Sequence, residues 1–115
     1  MLRGEIRLVD LGPASPGESA KQRPAVLVGN DGANSTAARL GRGIVTVAPM
    51  TANVDRVHPF QVLVPADESG LDRDSKVQAE QVRSISVERV GRSFGSLPPS
   101  LMLEVDEALR LHLSL

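Results

Sequence analysis

Cysteine is absent from the 115 residues, so disulfides and thiolate metal sites are excluded. That absence also fits a reducing, cytoplasmic setting. Aromatic residues are nearly absent: Phe60 and Phe94 are the 2%, with no Trp and no Tyr. A platform that binds nucleic acid by stacking successive bases is therefore not expected. Two histidines, His58 and His112, are too few and too isolated to suggest a metal centre. No phosphate-cradling glycine loop with a following lysine occurs, and no histidine–carboxylate pair. No apolar run approaches the ~20 residues of a membrane span, so no membrane association is expected. Arg3, Glu5, Arg7 and Asp10 interrupt any apolar stretch at the start, which argues against a signal peptide.

What is present is ordinary for a globular chain: 41% hydrophobic and 23% charged residues. The length suits one domain, 1–115, with a core of its own. The formal net charge of −1 argues against a generic nucleic-acid coat protein. The charge is uneven, however. Lys21, Arg23, Arg39, Arg42 and Arg56 make the first half slightly basic, whereas acidic residues gather after position 60. Any contact with nucleic acid should be confined to one groove.

The hydrophobic pattern predicts many short strands and one terminal helix. Glu5–Val9 alternates polar and apolar, as a half-buried strand does. Residues 12–21 hold two prolines, two glycines and two serines, a loop long enough to be functional. Pro24–Val28 reads as a core strand closed by Gly29-Asn30. A helical turn is expected around Ser35–Arg39, with Asn34 or Ser35 as its cap. Ile44–Ala48 predicts a third strand stopped by Pro49, and Pro59–Val64 a fourth ended by Pro65. Residues 75–86 suggest two short strands interrupted near Glu80-Gln81, and Phe94–Leu97 a last extended piece. Pro98-Pro99 then opens a helix with Leu101, Val105, Ala108 and Leu109 on one face. The expected fold is mainly β with helices (α+β), a small, partly open β-barrel with helical cover.

The run Gln22-Arg23-Pro24-Ala25-Val26-Leu27-Val28 carries the chemistry. It places a permanent cation at the rim of a strand, where a guanidinium is well suited to phosphate. Taken alone, Arg23 is more simply a rim residue that closes the sheet or pairs with a carboxylate. The other loop-edge polar residues are Glu18, Ser19, Thr51, Gln81 and Arg83. Each has an ordinary reading: solvated loop for Glu18 and Ser19, turn-forming hydroxyl for Thr51, strand-edge polarity for Gln81 and Arg83.

As an ensemble they form a pattern: G-E-S-x-x-x-R-P-A-V-L-V, then A-P-M-T, H-P-F-Q-V and A-E-Q-V-R-S-I. This order and spacing resemble the MazF/PemK/Kid family of toxin endoribonucleases over nearly the whole chain. The resemblance places Arg23 on the family's catalytic arginine and Thr51 on its catalytic threonine. Glu18 falls on the loop glutamate, with Ser19 beside it as a further substrate-binding candidate. Gln81 and Arg83 fall on residues flanking the substrate groove. Departures exist: Ala52 stands where a second hydroxyl is frequent, and the loop reads Gly17-Glu18-Ser19 where Gly-Ser-Glu is usual. Arg7 and Leu11 replace aromatics near the first strand.

The resemblance implies an SH3-like barrel that dimerises and cuts single-stranded RNA without metal or cofactor. The 2′-hydroxyl would attack the adjacent phosphorus, leaving a cyclic phosphate and a 5′-hydroxyl. Arg23 would mainly stabilise the phosphorane, with general acid as a second role, since a guanidinium is a poor base. The implied partners are RNA, most simply messenger RNA, a second copy of the chain, and an acidic antitoxin folding into the groove. Two rival readings remain at this point: a gyrase-poisoning toxin acting through the terminal helix, and an RNA-binding barrel without catalysis.

Overall fold

The computed structural model describes residues 1–12 and 22–115. Its strands are β1 (Glu5–Asp10), β2 (Gln22–Leu27), β3 (Ile44–Thr51), β4 (Gln61–Val64), β5 (Ser75–Gln78), β6 (Arg83–Ser86) and β7 (Val90–Ser96). Two α-helices join them, α1 (Asp31–Leu40) and α2 (Pro99–Leu113). Every strand pairing is antiparallel, in the order β4-β5-β3-β2-β1-β7, with β6 also paired to β3. The sheet coils without closing, which is the partly open barrel expected.

The middle strands are buried on both faces, which explains why β2 reads as a continuous apolar run. Val26 and Val28 join Ile6, Ala48, Met50, Val62, Val64 and Val77 in one cluster, covered by Leu101, Val105 and Ala108 of α2. Ala25 and Leu27 face the other way, into a cluster with Val9, Ala37, Val45, Val47, Ile85 and Val87. Val105 is fully buried. A side chain of that type stabilises the fold by roughly 1.5–3 kcal/mol when removed from water. Pro99 occupies the first turn of α2, where its missing N–H leaves no intrahelical bond unmade.

Several expected boundaries shift. Pro49 does not stop β3, which runs on to Thr51. The Val28 N–H donates to the Thr46 carbonyl at 3.0 Å, so Val28 and Thr46 form a hydrogen-bonded pair. By two-residue alternation, Pro49 opposite Ala25 is a non-bonded pair, and its nitrogen faces away from β2. On that far side β3 leaves β6 after Val47 and meets β5 at Met50, so no ladder bond is lost. The expected helical turn is a ten-residue helix capped by Asn30, whose Oδ1 accepts from the Ala33 N–H at 2.8 Å. Asn34 and Ser35 lie inside that helix, and the buried Asn34 donates to the Gly29 carbonyl at 3.0 Å. Asp31 in the first turn and Arg39 in the last both complement the helix dipole. β4 begins at Gln61, two residues later than expected, and β7 already at Val90. The interruption near Glu80 is a 3₁₀ turn, Ala79–Gln81.

Candidate active site

Arg23 lies within β2, paired with Val9 of β1 and half-buried. This moves it inward from the rim position expected. Pro24 beside it pairs with Leu8, and Ala25 to Leu27 are buried, so the guanidinium projects from a strand anchored in the core. Thr51 is the last residue of β3 and is also half-buried. The register that sets Ala25 opposite Pro49 brings Arg23 opposite Thr51 when carried on by two residues. Directly paired antiparallel residues share a face, here the face of Ala25, Leu27 and Val47. That continuation aligns two residues 28 positions apart in sequence, one near the start of β2 and one at the end of β3.

The Thr51 hydroxyl does form the turn that its ordinary reading predicts. Its Oγ1 accepts the Asn53 N–H at 3.3 Å, and Asn53 Oδ1 accepts the Asp55 N–H at 3.3 Å. This does not consume the hydroxyl proton. A hydroxyl accepts and donates at once, so the turn orients the group and leaves its O–H available to an anion.

Lys76, which neighbours Thr51 in the structure, is not singled out by the sequence. Ser75-Lys76-Val77-Gln78 looks like an alternating strand whose lysine would face water. In the structure Lys76 pairs with Thr51 across β3–β5 and is only 8% exposed. Its Nζ donates to the Arg56 carbonyl at 2.6 Å, within the β3–β4 loop. Thr51 and Lys76 are cross-strand partners, hydroxyl beside ammonium, and the extended β2–β3 register aligns Arg23 with them.

Arg83 pairs with Val47 on the same face, and its exposed guanidinium donates to the Leu11 carbonyl at 3.4 Å. Leu11 directly follows the last residue of β1. Arg83 thus reaches from β6 toward the point where the 12–21 loop leaves β1. Gln81 closes the 3₁₀ turn after β5 and is exposed. Its neighbour Glu80 accepts two hydrogen bonds from Gln61 Nε2, at 2.7 and 3.2 Å, while Gln61 Oε1 accepts from the His58 N–H at 3.1 Å. These bonds tie the end of the β3–β4 loop to the turn carrying Gln81. Glu18 and Ser19 lie outside the described residues.

A guanidinium and a hydroxyl donor on rigid strands are the groups that an anion site requires. Among the described residues, no group of three His, Asp or Glu side chains is placed to hold a metal ion. Fold and site together define a small, partly open SH3-like barrel with an arginine and a threonine aligned on adjoining strands.

Comparison with known proteins gives this class a family. Residues 2–113 match the family model described as PemK-like, MazF-like toxin of type II toxin–antitoxin systems. The chain belongs to that family. It is 55% identical over 115 residues to endoribonuclease MazF9 of Mycobacterium tuberculosis, covering 100% of this chain and 98% of that protein. It is 32% identical over 114 residues to endoribonuclease EndoA of Bacillus subtilis, covering 98% and 94%. Among solved structures, the M. tuberculosis toxin MazF-mt6 superposes with a TM-score of 0.76 at 28% identity, covering 96% and 97%. A mycobacterial endoribonuclease in complex with its cognate antitoxin superposes with a TM-score of 0.78, covering 100% and 96%. At 24% identity, that second likeness concerns the fold.

Proposed function

We propose that the Arg23–Thr51 strand end is where this chain, a MazF-family toxin endoribonuclease, cuts single-stranded RNA without a metal ion. The observation that carries this reading is the β2–β3 register, paired as far as Ala25 opposite Pro49, whose continuation by two residues aligns the Arg23 guanidinium with the Thr51 hydroxyl. The names of the curated relatives, endoribonucleases at up to full-length coverage, support RNA as the substrate.

The reaction is an internal transesterification. The ribose 2′-oxygen attacks the adjacent phosphorus and gives up its proton to a base. The P–O5′ bond breaks, leaving a 2′,3′-cyclic phosphate, and the departing 5′-oxygen takes up a proton. Charge accumulates on the non-bridging oxygens as the phosphorane forms. Arg23 stabilises that charge through paired N–H donors, the work a Lewis-acidic metal does elsewhere. Thr51 donates its hydroxyl to the same phosphate. Glu18 is assigned, from its place in the sequence motif, as the base or as a shaper of the loop. Base identity is read on exposed base edges by Gln81, Arg83, Ser19 and loop backbone groups, because stacking aromatics are scarce.

The working form is a cytoplasmic homodimer acting on messenger RNA. A cognate antitoxin neutralises it by laying an acidic segment over this site. The existence of a toxin–antitoxin complex for a relative of the same fold supports this partner.

The test uses a transcript cut by the purified protein, with one 2′-deoxyribose at the cut position and, separately, excess chelator. The deoxy substrate should survive and the chelator should leave the rate unchanged. Cleavage of the deoxy substrate, or loss of activity with chelator, would overturn the mechanism.

A further inference from the structure

We infer that Lys76 is a positioning residue of the cleavage site, holding the β3–β4 loop so that the Thr51 hydroxyl meets the RNA backbone. This rests on the Arg23–Thr51 reading above. An ammonium is expensive to take out of water unless hydrogen bonds compensate. Lys76 is nevertheless 8% exposed, on a strand of only four residues. Its bond to the Arg56 carbonyl spans 20 positions and is the only side-chain bond from β5 to the middle of the 52–60 loop among the described residues. Thr51, Asn53 and Asp55 are linked to one another by successive local turns. Further along, His58 is tied back through Gln61 to Glu80. Arg56 stands between these two tethers, and Lys76 grips it.

The geometry gives the grip its consequence. Lys76 is the cross-strand partner of Thr51, so stem and hydroxyl leave neighbouring backbone positions on the same face. Loss of the ammonium frees the Arg56 carbonyl, lets the loop move as a unit with the Asn53 N–H, and releases the hydroxyl from its orientation. Displacement of a positioning group by about 1 Å costs on the order of a hundredfold in rate.

Two variants test this. Lys76→Met keeps the apolar stem and removes charge and donors; Lys76→Arg keeps both. Three quantities are read: loop amide exchange over residues 52–57, thermal unfolding, and kcat and KM for an RNA the wild type cuts. The expected result for Lys76→Met is at least tenfold faster loop exchange and a ten- to hundredfold lower kcat. KM should change less than kcat, and Lys76→Arg should recover most of the rate. Wild-type kcat in Lys76→Met would overturn the proposal, as would a rate loss without a change in loop exchange. A rise in KM alone would also overturn it, because it would make Lys76 an ordinary phosphate contact. Should Lys76→Met fail to fold, Lys76→Gln is read in its place. If the wild type itself cuts no RNA, the cleavage reading fails, while the exchange measurement still reports whether Lys76 holds the loop.

Discussion

Replacing Thr51 by valine separates the site's chemistry from its architecture. The exchange keeps the β-branched shape and removes one hydroxyl. That hydroxyl's only hydrogen bond among the described residues is the one it accepts from Asn53, long at 3.3 Å and at an exposed turn. A bond of this kind contributes about 0.5 kcal/mol to stability, at the low end of the usual range. The same hydroxyl, as a donor to a phosphorane oxygen, falls in the class whose removal costs on the order of a hundredfold in rate. That is about 2.7 kcal/mol in the activation barrier, at 1.36 kcal/mol per tenfold. The two magnitudes differ enough to be measured apart. Single-turnover cleavage of a short transcript gives the rate, and urea unfolding of the same preparation gives the stability. Thr51→Val should unfold almost as the wild type does and cleave about a hundredfold more slowly, while Thr51→Ser stays close to wild type. Full activity in Thr51→Val would refute the hydroxyl's role. A rate loss matched by an equal loss of stability would refute the separation of the two.

Other outcomes follow from specific contacts. Gly70 has φ +76°, and a Cβ there would stand 2.0 Å from the Phe94 carbonyl oxygen. Gly70→Ala should therefore destabilise the fold by about 3 kcal/mol or more, lowering the melting temperature on the order of 10 °C; a melting curve unchanged from wild type would show that β7 yields. Arg83 is exposed and its one side-chain hydrogen bond among the described residues is to a carbonyl at 3.4 Å, so Arg83→Gln should leave stability within about 0.5 kcal/mol. If its guanidinium neutralises one RNA phosphate, the slope of log affinity against log salt should fall by about 0.7. An unchanged slope would place Arg83 outside the RNA path.

Much of the architecture was legible in the sequence because burial wrote it there. The apolar run at β2 and the spacing of Leu101, Val105 and Ala108 correspond to the two core clusters. Pro49 misled because proline is read locally as a strand stop. Whether it can be tolerated depends on which neighbour its nitrogen faces, and that is set by β5 and β6, about 30 residues away. The start of α1 lies earlier than the pattern suggests because Gly29-Asn30 reads as the turn closing β2, although Asn30 also caps the helix in the ordinary way. Arg23 and Thr51 are singled out by motif alone. Lys76 left no signal, since an alternating strand gives no sign that a lysine's outward face will be covered by another loop. Burial of that kind belongs to topology and not to pattern.

The central claim is that the Arg23 guanidinium carries the transition-state charge. The most direct measurement maps 5′-hydroxyl ends in total RNA after brief expression of the wild type and of Arg23→Ala, alongside a melting curve of each purified protein. The account predicts new ends at a common short sequence with the wild type, and none with an Arg23→Ala variant that still melts cooperatively. The same ends at the same sites and frequency with folded Arg23→Ala would contradict it.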